Sequence, residues 1–254
     1  MEYTTEINGI QVNAVYSEET VQQVFMPLLQ HLQAIRREKQ RRILVMLAAP
    51  PAAGKSTLCQ FLATLAEVTV LGMDGFHRRQ EDLLSHTTER NGKTISLVEI
   101  KGAPETFDLP ALREAVRKIA RGEVIGWPVY NRLLHNPVEN ALKTEGEILL
   151  LEGNYLLLDL PGWRELHQAA DYTVRLQADP EMLRSRLIER KMASGVPHEK
   201  AVDFVDFSDM PNARLCLEKS LPADLTLQVQ ENGVFCPVPA YEYRPAVTAA
   251  VRKG

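Results

Sequence analysis

The chain's 254 residues, 45% of them hydrophobic, suffice for one large buried core and exclude a disordered or fibrous chain. Its 29 Lys and Arg against 33 Asp and Glu leave a formal net charge of −4, so no global positive field draws in nucleic acid or an anionic membrane, and a small-molecule partner is expected. No signal-peptide pattern opens the sequence, no apolar run nears the roughly 18–20 residues of a membrane span, and Cys59, Cys216 and Cys236 lack any metal-binding spacing.

A cytoplasmic chain folded as one domain over residues 1–254 is therefore expected, with no nucleic-acid or membrane partner and a homodimer left open. The first predicted element is a helix over residues 17–40, which makes residues 1–40 an N-terminal helical extension. Ser17 can cap it, Glu18 and Glu19 suit its positive end, and Val21, Val24, Phe25, Leu28, Leu29, Leu32 and Ile35 recur at helical spacing. Pro27 is expected to kink it. The cluster RREKQRR at 36–42 reads as solvated charge at the helix C-terminus rather than an RNA-binding patch.

ILVMLAA at 43–49 is a short, continuously apolar run, as expected of a strand buried on both faces. It leads into AAPPAAGKSTL, residues 48–58, which matches G-x-x-x-x-G-K-[ST] except that Ala49 stands where the first glycine belongs. A helix is predicted over 55–66. Between such a strand and helix, Pro51, Ala52, Ala53, Gly54, Lys55, Ser56 and Thr57 would surround the phosphates of ATP. The Lys55 ammonium would bridge the β- and γ-phosphates and Ser56 would ligate Mg2+. Ala49 is tolerable there if its φ is negative, and Pro50 and Pro51 fix φ nearby.

Further strands are predicted at 68–73, 124–129, 147–152, 172–177 and 224–229. Between them lie helices at 109–121, capped by Asp108, at 180–193, and at 198–220 with a break at Pro211. This alternation implies an α/β fold of three αβα layers: a mostly parallel sheet whose ligand crevice lies beyond the strand C-termini. Two acids are predicted there. Glu152 closes the run ILLLE and reads either as a magnesium-side carboxylate or as a solvated strand-end acid, its place at the crevice favouring the first. Asp74, in MDGFH, reads either as a base that takes a proton from an acceptor hydroxyl or as a turn-capping residue before Gly75.

Four ordered segments, APPAAGKST, MDGFH, KGAPETFD with WPVYNRLLHNPV, and LLLEGNY, carry a more specific signal. Over residues 40–230 the chain resembles the P-loop kinases that include bacterial pantothenate kinase, uridine kinase and phosphoribulokinase, especially the branch of fructose-transport-system kinases. The resemblance implies an ATP- and Mg2+-dependent kinase that phosphorylates a hydroxyl of a small metabolite, be it a sugar, a polyol, a nucleoside or a pantothenate-like compound. It makes Asp74 the catalytic base or substrate-orienting acid, puts Glu152 near the metal, and places Tyr130 on the acceptor side. Arg132 stands where pantothenate kinases carry histidine, which argues against pantothenate, and His135 aligns roughly with a base-reading histidine of uridine kinases. A helical lid is implied at about 184–200. Within it Arg184 and Lys191 read as solvent-facing, whereas Arg186 and Arg190, four residues apart, share a face that could close over the transferring phosphate; Arg190 is the expected catalytic arginine. DMPNARL at 209–215 is distinctive of the branch but has no evident chemical role. The competing reading is a nucleotide-binding regulatory module or slow ATPase associated with a transporter.

Overall fold

The computed structural model describes residues 1–7, 10–90 and 92–238. It begins with a hairpin in which β1 (Glu2–Ile7) and β2 (Ile10–Val15) pair antiparallel. The first forty residues are therefore not a purely helical extension. Tyr3, Thr5 and Ile7 are half-buried between exposed Glu2, Thr4 and Glu6, a period of two that makes a ribbon. The predicted helix follows, Ser17 Oγ accepting from Thr20 N at 3.0 Å. It consists of α1 (Glu18–Thr20), a π turn over Val21–Phe25, and α2 (Met26–Lys39). Pro27 sits in the first turn of α2, where its missing N–H leaves no gap, so the irregularity is the π turn before it rather than a kink within α2.

Next comes β3 (Ile43–Ala48), buried throughout. Its Ile43, Val45 and Leu47 enter one core while Leu44, Met46 and Ala48 enter another, as a strand covered on both faces requires. After α3 (Lys55–Leu65) the chain returns as β4 (Thr69–Gly72). A small subdomain of α4 (Gln80–Ser85) and the hairpin β5 (Thr87–Arg90) and β6 (Lys93–Ser96) precedes α5 (Leu109–Ala120). Asp108 caps α5 as expected, Oδ1 accepting from Ala111 N at 3.0 Å.

The segment predicted as a central strand at 124–129 is instead part of β7 (Gly126–Asn131), which pairs only with β8 (Asn136–Lys143) in a separate antiparallel hairpin. Pro128 cannot donate to a ladder and so suits this two-stranded edge, not a central position. The buried Trp127 still ties the hairpin to the sheet, its indole N–H donating to Gly72 O at 2.9 Å.

The chain re-enters the sheet with β9 (Ile148–Gly153) and β10 (Tyr172–Ala178), then forms α6 (Pro180–Ala193), α7 (His198–Phe204), a π turn over Val205–Asp209, α8 (Met210–Glu218), β11 (Leu225–Val229) and β12 (Phe235–Pro237). The π turn absorbs the irregularity predicted at Pro211, which falls in the first turn of α8. The sheet order is β12-β11-β10-β3-β9-β4, parallel throughout except for β12. β3 and β9 are neighbours, and Glu152 lies in register between Leu47 of β3 and Gly72 of β4. The loops after β3, β4 and β9 thus open side by side into one crevice. At the opposite end of the sheet the 36–42 cluster is held rather than free: Lys39 and Arg41 pair with Asp171, Arg36 pairs with Glu147, and Arg42 donates to Gly146 O at 2.7 Å. Among the described residues no helix is long and apolar enough to cross a membrane.

Candidate active site

The loop after β3 is tied to β9 by Ala49 N, which donates to Gly153 O at 3.3 Å, and is closed by Ala53 N donating to Pro50 O at 3.3 Å. Its left-handed residues are Ala52, at φ 64°, and Gly54, at φ 82°; Ala49 is not one of them. The departure from the glycine pattern at Ala49 is therefore harmless, because the demanding turn lies further along. Nothing sits within 4 Å of where a Cβ on Gly54 would stand, so glycine serves the dihedral there and leaves the loop open to a ligand. Helix α3 starts at Lys55, and its unpaired first-turn N–H groups present a positive end to that opening.

A cavity of about 290 Å³ lies over the loop. Its floor includes Gly54, Lys55, Ser56 and Thr57, and its wall carries Arg132 from the β7–β8 turn and Arg186 and Arg190 from α6. Four cations from three elements thus converge on one small volume. Among the described residues none of the four has a carboxylate within ion-pair distance. Arg132 Nε is enclosed without a hydrogen-bond partner, and Arg186 donates only to Ala52 O, at 3.4 Å. The arrangement is suited to a polyphosphate.

Ser56 Oγ donates to Glu152 Oε1 at 2.8 Å, joining the first turn of α3 to the end of β9. Burial pushes the Glu152 carboxyl above the usual range; Lys55 and the Ser56 hydroxyl pull it back, and the charge of Asp74 adds to the rise. These are hard oxygen donors of the kind magnesium takes. Among the described residues no cluster of three or more His, Cys, Asp or Glu could hold a metal unaided. An ion here would be completed by phosphate oxygens and waters, the usual environment of nucleotide-bound magnesium.

Asp74 lies on a single helical turn, Met73–Phe76, at the end of β4. A Cβ on Gly75 would come within 2.0 Å of Pro128 O, so that glycine permits close approach to β7 rather than a left-handed turn. Among the described residues the Asp74 carboxylate makes no hydrogen bond, while its backbone carbonyl accepts from His77 N at 3.2 Å. Its charge bears on Glu152, His77, Tyr130 and Arg190.

His77 stacks on Phe107 at 4.0 Å and meets Tyr130 edge-on at 5.2 Å. Burial lowers the His77 pKa, and its Nδ1 is enclosed without a partner. Lys101 lies 4.9 Å over the Tyr130 ring and donates to Gln80 Oε1 and His135 O, each at 2.9 Å. Burial lowers the Lys101 ammonium and raises the Tyr130 phenol, which Arg132 pulls back. His135 contributes its carbonyl here, while its side chain is exposed at the hairpin turn. His77 and Lys101 stood inside the motifs MDGFH and KGAPETFD, and their adjacency to Asp74 and to the acceptor segment was the only sequence signal for them.

The α6 arginines divide as spacing suggested. Arg184 pairs outward with Asp206 through contacts of 2.7 and 2.8 Å, while Arg186 and Arg190 face the cavity. Lys191 rests on the Phe204 ring at 3.4 Å. Arg190 is open to solvent by area yet walled by protein; burial draws its pKa down, Asp209 and Asp74 oppose that, and Arg132 reinforces it. Asp209 belongs to DMPNARL, a segment that packs against α6. Burial raises its carboxyl, and Arg190 and Lys191 draw it back. Asn212 of the same segment is buried beside Gly102, whose carbonyl accepts from Tyr155 Oη at 2.6 Å.

A larger groove of about 930 Å³ lies behind the Gly75–Arg79 turn, against α5 and β8. Its lining joins Phe76, His77 and Phe107 to charges of both signs and does not include the phosphate loop. The smaller cavity is the one over the phosphate loop, while His77, three residues after Asp74, lines the larger groove.

Residues 44–232 match the phosphoribulokinase / uridine kinase family. The chain belongs to that family and is, with it, a small-molecule kinase. It is 38% identical to the uncharacterised protein YggC of Escherichia coli K12 over 92% of this chain and 98% of that one. To the provisionally assigned uridine kinase C227.14 of Schizosaccharomyces pombe it is 31% identical, over 74% of this chain and 84% of that one. The fold is similar to a solved structure from Silicibacter sp. TM1040, provisionally assigned as a fructose transport system kinase. That match has 32% identity and a TM-score of 0.66, covering 77% of this chain and 98% of the other.

Proposed function

We propose that the protein transfers the γ-phosphoryl group of ATP to a hydroxyl of a small metabolite, with Asp74 as the base. The observation that carries this reading is the place of Asp74, two residues after Gly72, which pairs with Glu152, and three before His77, with a carboxylate that makes no hydrogen bond among the described residues. A group so placed can take the acceptor proton as the acceptor oxygen forms a bond to the γ-phosphorus and the bond to the bridging oxygen breaks, releasing ADP.

Residues Ala52 to Thr57 hold the phosphates through backbone N–H groups and the helix end, Pro51 fixes the backbone that leads into them, and Lys55 spans the two terminal phosphates. Arg190, and behind it Arg186, offset the charge spread over the transferring oxygens. Ser56 and Glu152 would hold Mg2+ or its waters, and when bound the ion neutralises charge on the β- and γ-phosphate oxygens. Tyr130, Arg132 and His77 form the acceptor wall, where unpartnered donors suit a ligand rich in oxygen atoms.

ADP release measured with ATP and Mg2+ against a panel of sugars, polyols, nucleosides and pantothenate tests the assignment. At least one acceptor should raise turnover well above basal hydrolysis. If none does, the regulatory or slow-ATPase reading replaces this one.

A further inference from the structure

The β1–β2 hairpin lies outside residues 44–232, the part of the chain that matches the family, yet it reaches the phosphate loop. Its inner face changes partner along its length. Near the base, Tyr3 packs edge-on against Phe61 of α3 at 5.3 Å, and Ala14, directly across from Tyr3, packs on the main core. The hairpin is clamped there by Met1 N–H donating to Tyr16 O at 2.6 Å and Tyr16 N–H donating to Met1 O at 2.9 Å. A third hold comes from the turn after β11: a Cβ on Gly233 would stand 1.5 Å from Val15 O, so backbone presses directly on backbone.

Further out, the same face carries Ile7 and Val12. Neither packs on the core that takes Tyr3 and Ala14; both line the 290 Å³ cavity together with Ala52, Gly54 and Thr57. Alternation thus continues past the point where the core ends, presenting two branched apolar side chains to a space otherwise built of N–H groups and cations. Phosphate gains nothing from such groups. The part of a nucleotide that does is its nucleoside, whose ribose and base offer C–H and ring surface next to the phosphates. The position agrees: Arg186 borders both this cavity and a neighbouring one of about 750 Å³, which the turn pressed by Val15 also lines.

We propose that the hairpin is a nucleotide-recognition element whose apolar outer end, Ile7 and Val12, packs on the nucleoside of the bound nucleotide. This rests on the reading of the loop as an ATP site. It makes the chain's preference for a nucleoside triphosphate over a bare polyphosphate a property of its first fifteen residues.

The test is calorimetry on the full chain with two ligands in the presence of Mg2+: the non-hydrolysable β,γ-imido analogue of ATP, and inorganic tripolyphosphate, which has no nucleoside. The parent should bind the analogue more tightly. In Ile7→Ser/Val12→Ser, affinity for the analogue should fall roughly tenfold, the effect expected from uncovering two half-buried apolar side chains, while tripolyphosphate affinity stays within about twofold. Equal losses for both ligands would overturn the proposal, since the hairpin would then only shape the loop; so would an unchanged affinity for the analogue. A parent that binds neither ligand sinks the ATP reading and the proposal with it, a result distinct from either. If the double variant fails to fold by circular dichroism, Val12→Thr keeps shape and strand preference, and a roughly threefold loss confined to the analogue is expected.

Discussion

The two ends of the central sheet carry charge in opposite ways. At the end where β3 begins, Asp171 accepts from Lys39 and Arg41 at 2.7 and 2.6 Å and from Leu44 N at 2.9 Å. At the end where β3 finishes, Lys55, Arg132, Arg186 and Arg190 converge with no ion-paired carboxylate among the described residues, and the Asp74 carboxylate makes no hydrogen bond there. Bringing like charges together costs free energy in the folded chain unless something else uses them. Paired charge at one end therefore fixes the sheet, and on the proposed function the unpaired charge at the other serves the phosphates of ATP.

Substitutions at the second end should accordingly cost rate and little stability. The largest effect is expected for Asp74→Asn, which keeps shape but cannot take up the acceptor proton. Acceptor phosphorylation should fall roughly 10²- to 10⁴-fold, about 3–5 kcal/mol in barrier, while ATP binding and basal hydrolysis survive. Retention of half the rate with an identified acceptor would remove Asp74 as the base. Lys55→Ala should lower turnover by roughly 10²- to 10³-fold and weaken ATP binding in calorimetry; unchanged affinity would show that the cation does not meet the phosphates. A smaller change is expected for Glu152→Gln: roughly a tenfold rise in the Mg2+ concentration giving half-maximal rate, because an amide holds a hard cation or its waters less well. An identical magnesium titration would leave Glu152 with only its bond to Ser56.

Much of this crevice was legible in the sequence, because its donor half is built from elements with strong local signals. An apolar run such as ILVMLAA has no alternative to burial, and GKST at its end forces a loop and a helix start; both stand where they were predicted. The acceptor half was harder to read. VIGWPV looks like another buried strand, and only Pro128 argues otherwise, since the tertiary contact of Trp127 with Gly72 O has no local trace. The β1–β2 ribbon was missed although half of it was legible. β1 alternates mostly through Thr and Glu, while β2 carries a readable alternation of Val12 and Ala14 with Gln11 and Asn13, and Phe61 beneath Tyr3 shows which face is the inner one. Asp209 and Asn212 were visible as a distinctive segment without a role, because a role there comes from Arg190 and Gly102, both distant in sequence.

The smallest expected effect comes from the first end, and it sharpens the contrast because it should appear in stability alone. Burial by itself would raise the Asp171 carboxyl, but hydrogen bonds from Arg41, Lys39 and the Leu44 N–H together hold it below the ordinary value of 3.8. A carboxyl depressed on folding adds stability that is fully present above its unfolded value and is lost as pH falls through the depressed folded one. Asp171→Asn keeps an oxygen for Leu44 N–H and removes the charge. With Lys39 and Arg41 half-exposed and screened, the loss should be only about 1–2 kcal/mol at pH 7. In urea denaturation the gap between parent and variant should stay constant from neutral pH down to about one unit above 3.8 and close below it, while turnover at pH 7 is the same in both. A gap that persists at pH 2.5 would mean that packing rather than charge holds this end of the sheet. A loss of turnover would mean that the two ends do not act independently.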